Sequence, residues 1–528
     1  MNPYIRTAVL LLFLMLSTPS FGQSQPKSPE QLGKVDFPNS CTPAVQTTFL
    51  RGVAMLHSFR YAETEKSFRE VLAQDPSCAI ANWGIAAILM DNPLAGVGSS
   101  PQWAERAQAA IEHGRRIGAK TERERDYIDA VAAYYQDWAK QPERARQQSR
   151  AKAFETLAAR YPADDEAQIF YALYLSGTQS LADKSYASYL KAAEILEKQF
   201  AKHPDHPGVA HYLIHSYDAA PIAQKGLPAA RRYADIAPAA PHALHMPSHI
   251  FTRVGAWADS AATNQRSAMA AKGDKDADGE LHAMDYMAYA YLQLGRDSDA
   301  RRVAEEAAQV SGASRFAGPY ALAAMPARYA VERGDWSQAA KVSPVPSSFP
   351  FVAALSHFAR GLGAARSGDP AMAEKEILEL ARLREALRNA KNDYWAGEVE
   401  VSRLAVAAWT ALAQGKQDEA LGLMRSAADT EDKSEKHIVT PGRITPAREL
   451  LGEMLLELKR PADALKEFEA SQTREPDRFR GLYGAAQAAA QSGDIAKAKR
   501  FFARLVDIAG QGGPRPELVE ARKFLAAN

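Results

Sequence analysis

Two small residues five positions apart, glycine then alanine, recur along this chain and leave few folds open to it. Gly295/Ala300, Gly334/Ala339, Gly368/Ala373, Gly415/Ala420 and Gly493/Ala498 keep the spacing, and Lys459/Ala464 replaces only the first member. Glycine ends a helix in the left-handed conformation that other residues resist, and alanine lets the next helix pack close behind it. Successive markers lie 34 to 47 residues apart, the length of a helical hairpin. Between them the sequence is Ala-rich with helical periodicity, and no strand-like alternation interrupts it from about residue 44 onward. A hairpin of this kind leaves one apolar face bare, so only stacking against neighbours gives a continuous core.

The pattern resembles the tetratricopeptide repeat, which places Gly at position 8, Ala at 20, an aromatic at 24 and Pro at 32. A repeat begun at Thr445 has Gly452, Ala464, Phe468 and Pro476 in those places. One begun at Val45 has Gly52, Phe68 and Pro76, with Thr64 in the Ala slot. The resemblance implies an all-α, superhelical solenoid of antiparallel helix pairs, with a protein or peptide partner in its concave groove. An insert at Asp91–Pro101 and a Pro-rich break at Ser343–Pro350 depart from the repeat. The second divides the expected array into 44–342 and 343–528.

Residues 1–22 read as a secretory signal. Arg6 supplies the positive charge, Ala8 to Leu16 a short apolar core, and Ser20-Phe21-Gly22 the small residues at −3 and −1 of a cleavage site. The mature chain then begins near Gln23, with 23–43 as a leader, no membrane anchor, and a periplasmic or secreted destination. Cys41 and Cys78 are the two cysteines, and each precedes the first helix of a successive repeat. In an exported protein they can close one disulfide, the alternative being two free thiols. With 64 Lys+Arg against 63 Asp+Glu and a formal charge of +1, nothing attracts a phosphate backbone, and nucleic acid is excluded as a partner.

Seven of the twelve histidines fall between His203 and His249. Counted from Pro204 and Pro238 as closing prolines, His211 and His245 both occupy position 5 and His215 and His249 position 9, a separation of 34 residues in each case. Each pair has i,i+4 spacing, so both rings leave one helix face. The tetratricopeptide resemblance puts positions 2, 5, 9 and 12 on the concave side, which adds His242 at position 2 and Asp218 at position 12. Aligning Gly295 on Gly255 brings His282, Asp285 and Tyr289 into the slots of His242, His245 and His249. Imidazoles and carboxylates in this density are ligands for a divalent transition metal, with zinc the default and iron, manganese or copper open. The expected shell is His211, His215, His245 and His249, completed by Asp285 or Asp218. A hydrogen-bonded histidine network or a groove that recognises a peptide or small anion is the alternative. Chemistry at the metal would need a general base, and only Asp218 and Asp285 offer themselves. No phosphate loop, nucleophile elbow or His-Glu-x-x-His run is present.

Pro247, between His245 and His249, would break a helix running through both, unless a helix starts there. The segments His211-Tyr-Leu-Ile-His215, Pro241–Phe251, Leu450–Leu455 and Arg478–Ala486 resemble those of a group of exported bacterial tetratricopeptide proteins, which implies fold and motif but no reaction. His57, Phe49, Phe59, Tyr61 and Trp83 read as core and turn residues, and His203 and His206 as a solvated loop pair.

Overall fold

The structure, a computed structural model, describes residues 30–528; the signal segment at 1–22 lies outside the described residues. From Gln46 to Ala509 the chain runs as antiparallel helix pairs, closed by a last helix, Pro516–Ala527, and no strand occurs among the described residues. No described helix is long and apolar enough to cross a membrane.

The repeat signature works through contact. Phe468 lies so close to Gly452 and Gly484 that a Cβ on either would stand 2.7 or 2.2 Å from its ring. One aromatic thus locks its own repeat to the next. Phe68 does the same with Gly84, at 2.3 Å. The marker glycines sit in the left-handed turns, Gly255 at φ 73°, Gly295 at 64°, Gly368 at 89° and Gly493 at 86°, and Lys459 takes the same conformation at 58°.

Cys41 and Cys78 are joined in a disulfide, Cα–Cα 4.8 Å, which ties together the starts of helices Gln46–His57 and Ala81–Ile88. Ser343–Pro346 is non-helical, as its prolines require, but the core runs through this break. Phe316 packs edge-on against Phe351, and Phe351 stacks on Trp395 at 4.2 Å.

One segment departs from the repeat. Residues 432–446 connect helix Gln417–Glu431 to Ala447–Glu457 without helical structure, yet Glu435 to Gly442 are buried. The segment reaches across to the first half of the chain. The Glu435 N–H donates to the Leu181 carbonyl at 2.8 Å, and His437 Nε2 meets the Ala95 carbonyl at 3.0 Å. Tyr286 donates to the Thr440 carbonyl at 3.0 Å, and Arg328 to the carbonyls of Gly442 and Arg443. A buried loop is tolerable only because its backbone polar groups find such partners.

Candidate metal centre

Helix Pro207–Ser216 carries His211 and His215 one turn apart, with Pro207 at its first turn and His206 capping Val209 N–H through Nδ1. The next inner helix is interrupted where Pro247 requires it. Pro241–His245 and Pro247–Arg253 are separate helices, and Met246 between them remains right-handed at φ −54°, ψ −36°. The direction of the chain is therefore kept across the break, so His242, His245 and His249 still face one side. His282 comes from Ala277–Gln293.

The imidazoles gather into two trios rather than one quartet. His211, His215 and His242 form the first and His245, His249 and His282 the second, with one nitrogen of each ring lying within 4.8 Å of the other two in its trio. His211 Nε2 is 3.1 Å from His215 Nε2 and 3.2 Å from His242 Nε2. His245 Nε2 is 3.0 Å from His249 Nε2, and the His245 and His282 rings are 4.2 Å apart. Four-coordinate zinc with bonds of about 2.0–2.1 Å would separate its nitrogens by about 3.3 Å, close to these spacings. The trios adjoin, with the His215 and His249 rings 5.5 Å apart.

Outer contacts decide which nitrogen carries the proton in three of the six rings, whereas His215 Nδ1 is buried without a partner. His211 Nδ1 donates to the His57 carbonyl at 2.7 Å. His249 Nδ1 donates to Asp218 Oδ2 at 2.9 Å. Asn264 gives its amide N–H to the Ser260 carbonyl at 2.7 Å, which turns its oxygen toward His245 Nδ1 at 2.6 Å and makes that nitrogen a donor too. In the neutral ring the opposite nitrogen then bears a lone pair. His245 and His249 therefore point two lone pairs at each other across 3.0 Å with no proton of their own to share. Only a cation or an added proton makes that contact favourable. Metal-ligating histidines characteristically have their second nitrogen held in this way.

An added proton is costly here. Burial pushes His211 and His282 down to about 3, and burial plus the neighbouring imidazoles hold His215, His242 and His245 well below the ordinary histidine value. Burial also lowers His249, despite Asp218.

Neither aspartate completes a trio. Burial alone would raise the Asp218 carboxyl, but Lys436, Arg253 and His249 hold it well below the carboxylate range. Its Oδ1 takes Arg253 Nε at 2.8 Å and faces Lys436 Nζ at 3.5 Å, so both oxygens are engaged in orienting His249. Asp285 belongs to neither trio; its Oδ1 lies 3.8 Å from Arg328, and burial pushes it up to about 6. His242 and His282 take the places expected of the carboxylates. Tyr289, aligned with His249, instead joins Arg478, while Tyr286, one turn earlier, lies 5.1 Å from the His249 ring. His206 is buried rather than solvated, because Glu166 accepts from it at 3.0 Å and from His57 at 2.9 Å. His203, half-exposed, pairs with Asp165 at 2.7 Å.

The His57 carbonyl, Asn264, Tyr286 and Lys436 carry no repeat phase that would mark them in the sequence. Lys436 arrives on the 432–446 segment, where burial pulls it down to about 8 against the pull of Asp218.

Among known proteins, no family model matches this chain and no curated protein does. Solved structures similar to it include a tetratricopeptide repeat protein from Parabacteroides merdae ATCC 43184, at 11% identity and a TM-score of 0.29, covering 54% of this chain and 97% of that one. The APC/C hetero-tetramer Cut9–Hcn1 matches at 11% identity and a TM-score of 0.30, covering 92% and 96%. The chain's own helix pairs, left-handed glycine turns and interlocked Gly and Phe positions make it a tetratricopeptide-like solenoid.

Proposed function

We propose that this protein is an exported tetratricopeptide-like scaffold that holds two divalent transition-metal ions side by side in its groove. His211, His215 and His242 bind one, and His245, His249 and His282 the other. The carrying observation is the 3.0 Å approach of His245 Nε2 to His249 Nε2 while both Nδ1 atoms are committed as donors. A set made only of imidazoles suits zinc first and copper next, and suits manganese poorly because that ion prefers oxygen ligands. The disulfide supports the oxidising compartment that export would supply. The groove at this point is already filled by residues 432–446, which favours a metal over a partner peptide as its occupant.

The test is metal content. The mature chain from Gln23, without a histidine tag, is expected to retain about two equivalents after zinc reconstitution and dialysis, read by mass spectrometry. His215→Ala and His249→Ala are each expected to remove about one equivalent while leaving helical content unchanged. Retention below about a tenth of an equivalent would end this reading.

A further inference from the structure

A cavity of about 640 Å³ opens beside the first trio, and His242 forms part of its wall. Of the six imidazoles, only His242 and His282 are not fully buried. A metal held by three imidazoles keeps a fourth position for an outside ligand. The cavity is of the size that takes small molecules.

Its walls include Phe59, Tyr61, Ile88, Leu89 and Trp103, beside acidic side chains such as Glu63 and Glu65. The guanidinium groups that also reach it are already neutralised. Arg60 binds Asp274 through two bonds of 3.0 and 3.1 Å, and Arg315 binds Asp276 at 2.8 Å while lying over the Tyr61 ring. Selection by stacking is therefore favoured over selection by net charge.

Phe59 is the bulkiest departure from the glycine rule of the turns. It occupies the turn between Gln46–His57 and Tyr61–Gln74, two residues after one helix and two before the next, where Gly295 stands between Ala277–Gln293 and Asp297–Ala307. Elsewhere in the array glycine fills this left-handed slot at Gly255, Gly334, Gly368, Gly415 and Gly493 and lysine at Lys391 and Lys459, so Phe59 is its one aromatic occupant among the described residues. Phe59 adopts it at φ 51°, a conformation that a bulky side chain resists. The strain places its ring edge-on to His211 at 4.6 Å and stacked on His242 at 5.4 Å, between the cavity and the imidazoles.

The geometry points to this cavity as the binding site of a small aromatic molecule carrying an oxygen donor. The ring stacks against Trp103 and Phe59, and the oxygen reaches the metal of the first trio. Phe59 is the specificity-determining residue. This inference rests on the metal reading above.

Benzoate and acetate separate the two, since they share the donor and differ in the ring. On the cobalt-loaded, untagged protein, followed by the visible cobalt spectrum, benzoate is expected to bind at least about tenfold more tightly than acetate. Phe59→Gly puts glycine where the backbone favours it, so this variant is expected to fold and take up cobalt normally. It and Trp103→Ala should each narrow the benzoate-to-acetate ratio by about threefold or more, leaving acetate itself unchanged. Cobalt uptake with equal affinity for the two acids, or a ratio untouched by both variants, overturns the cavity assignment and leaves the metal reading standing. Absence of cobalt uptake overturns both.

Discussion

Arg478→Met is expected to cost this protein about 3–5 kcal/mol, among the largest losses available to a single substitution here. The guanidinium has no solvent exposure and joins three helices to the start of a fourth. Its NH2 donates to Glu332 Oε1 at 2.7 Å, Nε donates to Glu449 Oε1 at 2.8 Å, and NH1 donates to the Tyr289 hydroxyl. Burial opposes its charge, but Glu332 and Glu449 hold it firmly protonated. Methionine fills much of the volume and leaves Glu332 and Glu449 buried without their cation, the costly half of breaking a buried pair, which Glu449, already pushed up to about 7 by burial, meets by taking up a proton. Adding Glu332→Gln and Glu449→Gln to the same chain is expected to recover part of the loss, because the uncompensated charge is then gone. Arg460→Ala provides the contrast. Its pair with Asp463 is nearly half exposed on both sides, and exposed pairs contribute about 1 kcal/mol or less. Urea denaturation of the four proteins checks this; a loss below about 1 kcal/mol for Arg478→Met would contradict the account.

The position of Arg478 also shows where sequence reasoning stops. Gly452, Ala464 and Phe468 could be read as a repeat because their contacts are local and recur with the hairpin, so spacing alone encodes them. The pairs His211/His215 and His245/His249 were legible for the same reason: an i,i+4 step fixes a shared helix face whatever surrounds it. All six trio histidines were thus within reach. Their division into two trios was not, because it depends on how far Ala277–Gln293 is shifted against the broken helix at Pro247. That shift brings His282 onto His245 and sends Asp285 toward Arg328. The partners that set the tautomers were less accessible still. Asn264 reaches His245 from an outer helix, and the His57 carbonyl reaches His211 across 154 residues. The segment at 432–446 lacks helical periodicity, and sequence gives no sign that Glu435 will meet Lys184, Tyr186 and Arg253 in the first half of the chain.

Acid is expected to unfold the metal-free protein well before it reaches the carboxylate range. His211 and His282 are pulled to about 3 and His437 to about 4, all by burial, while the same residues in an unfolded chain titrate near 6.5. Below pH 6.5 the unfolded chain therefore binds protons that the folded chain refuses, so stability falls as pH falls. The contribution of these groups is fully present above 6.5 and is lost progressively between 6.5 and their folded values. His211 and His282 alone make the slope about 2.7 kcal/mol per pH unit in that window. The buried Asp285, raised to about 6, and Glu431 and Glu449, raised to about 7, act in the opposite direction, since the stability they add is full below the ordinary carboxylate range and is lost as pH rises up to those values. These three carboxyls are outnumbered by the eight imidazoles that burial lowers. The melting temperature of the metal-free chain should accordingly drop steeply from pH 7.5 to 5.5, and a His211→Asn, His282→Asn variant should show a flatter profile. Added zinc should raise the melting temperature at pH 7.5 and lose that effect by pH 5, as protons compete for the same nitrogens. A metal-free protein whose melting temperature is level across this range would mean that the rings are solvated and protonated in the folded state, and the two trios could not then be the dry, lone-pair-bearing sites that their contacts describe.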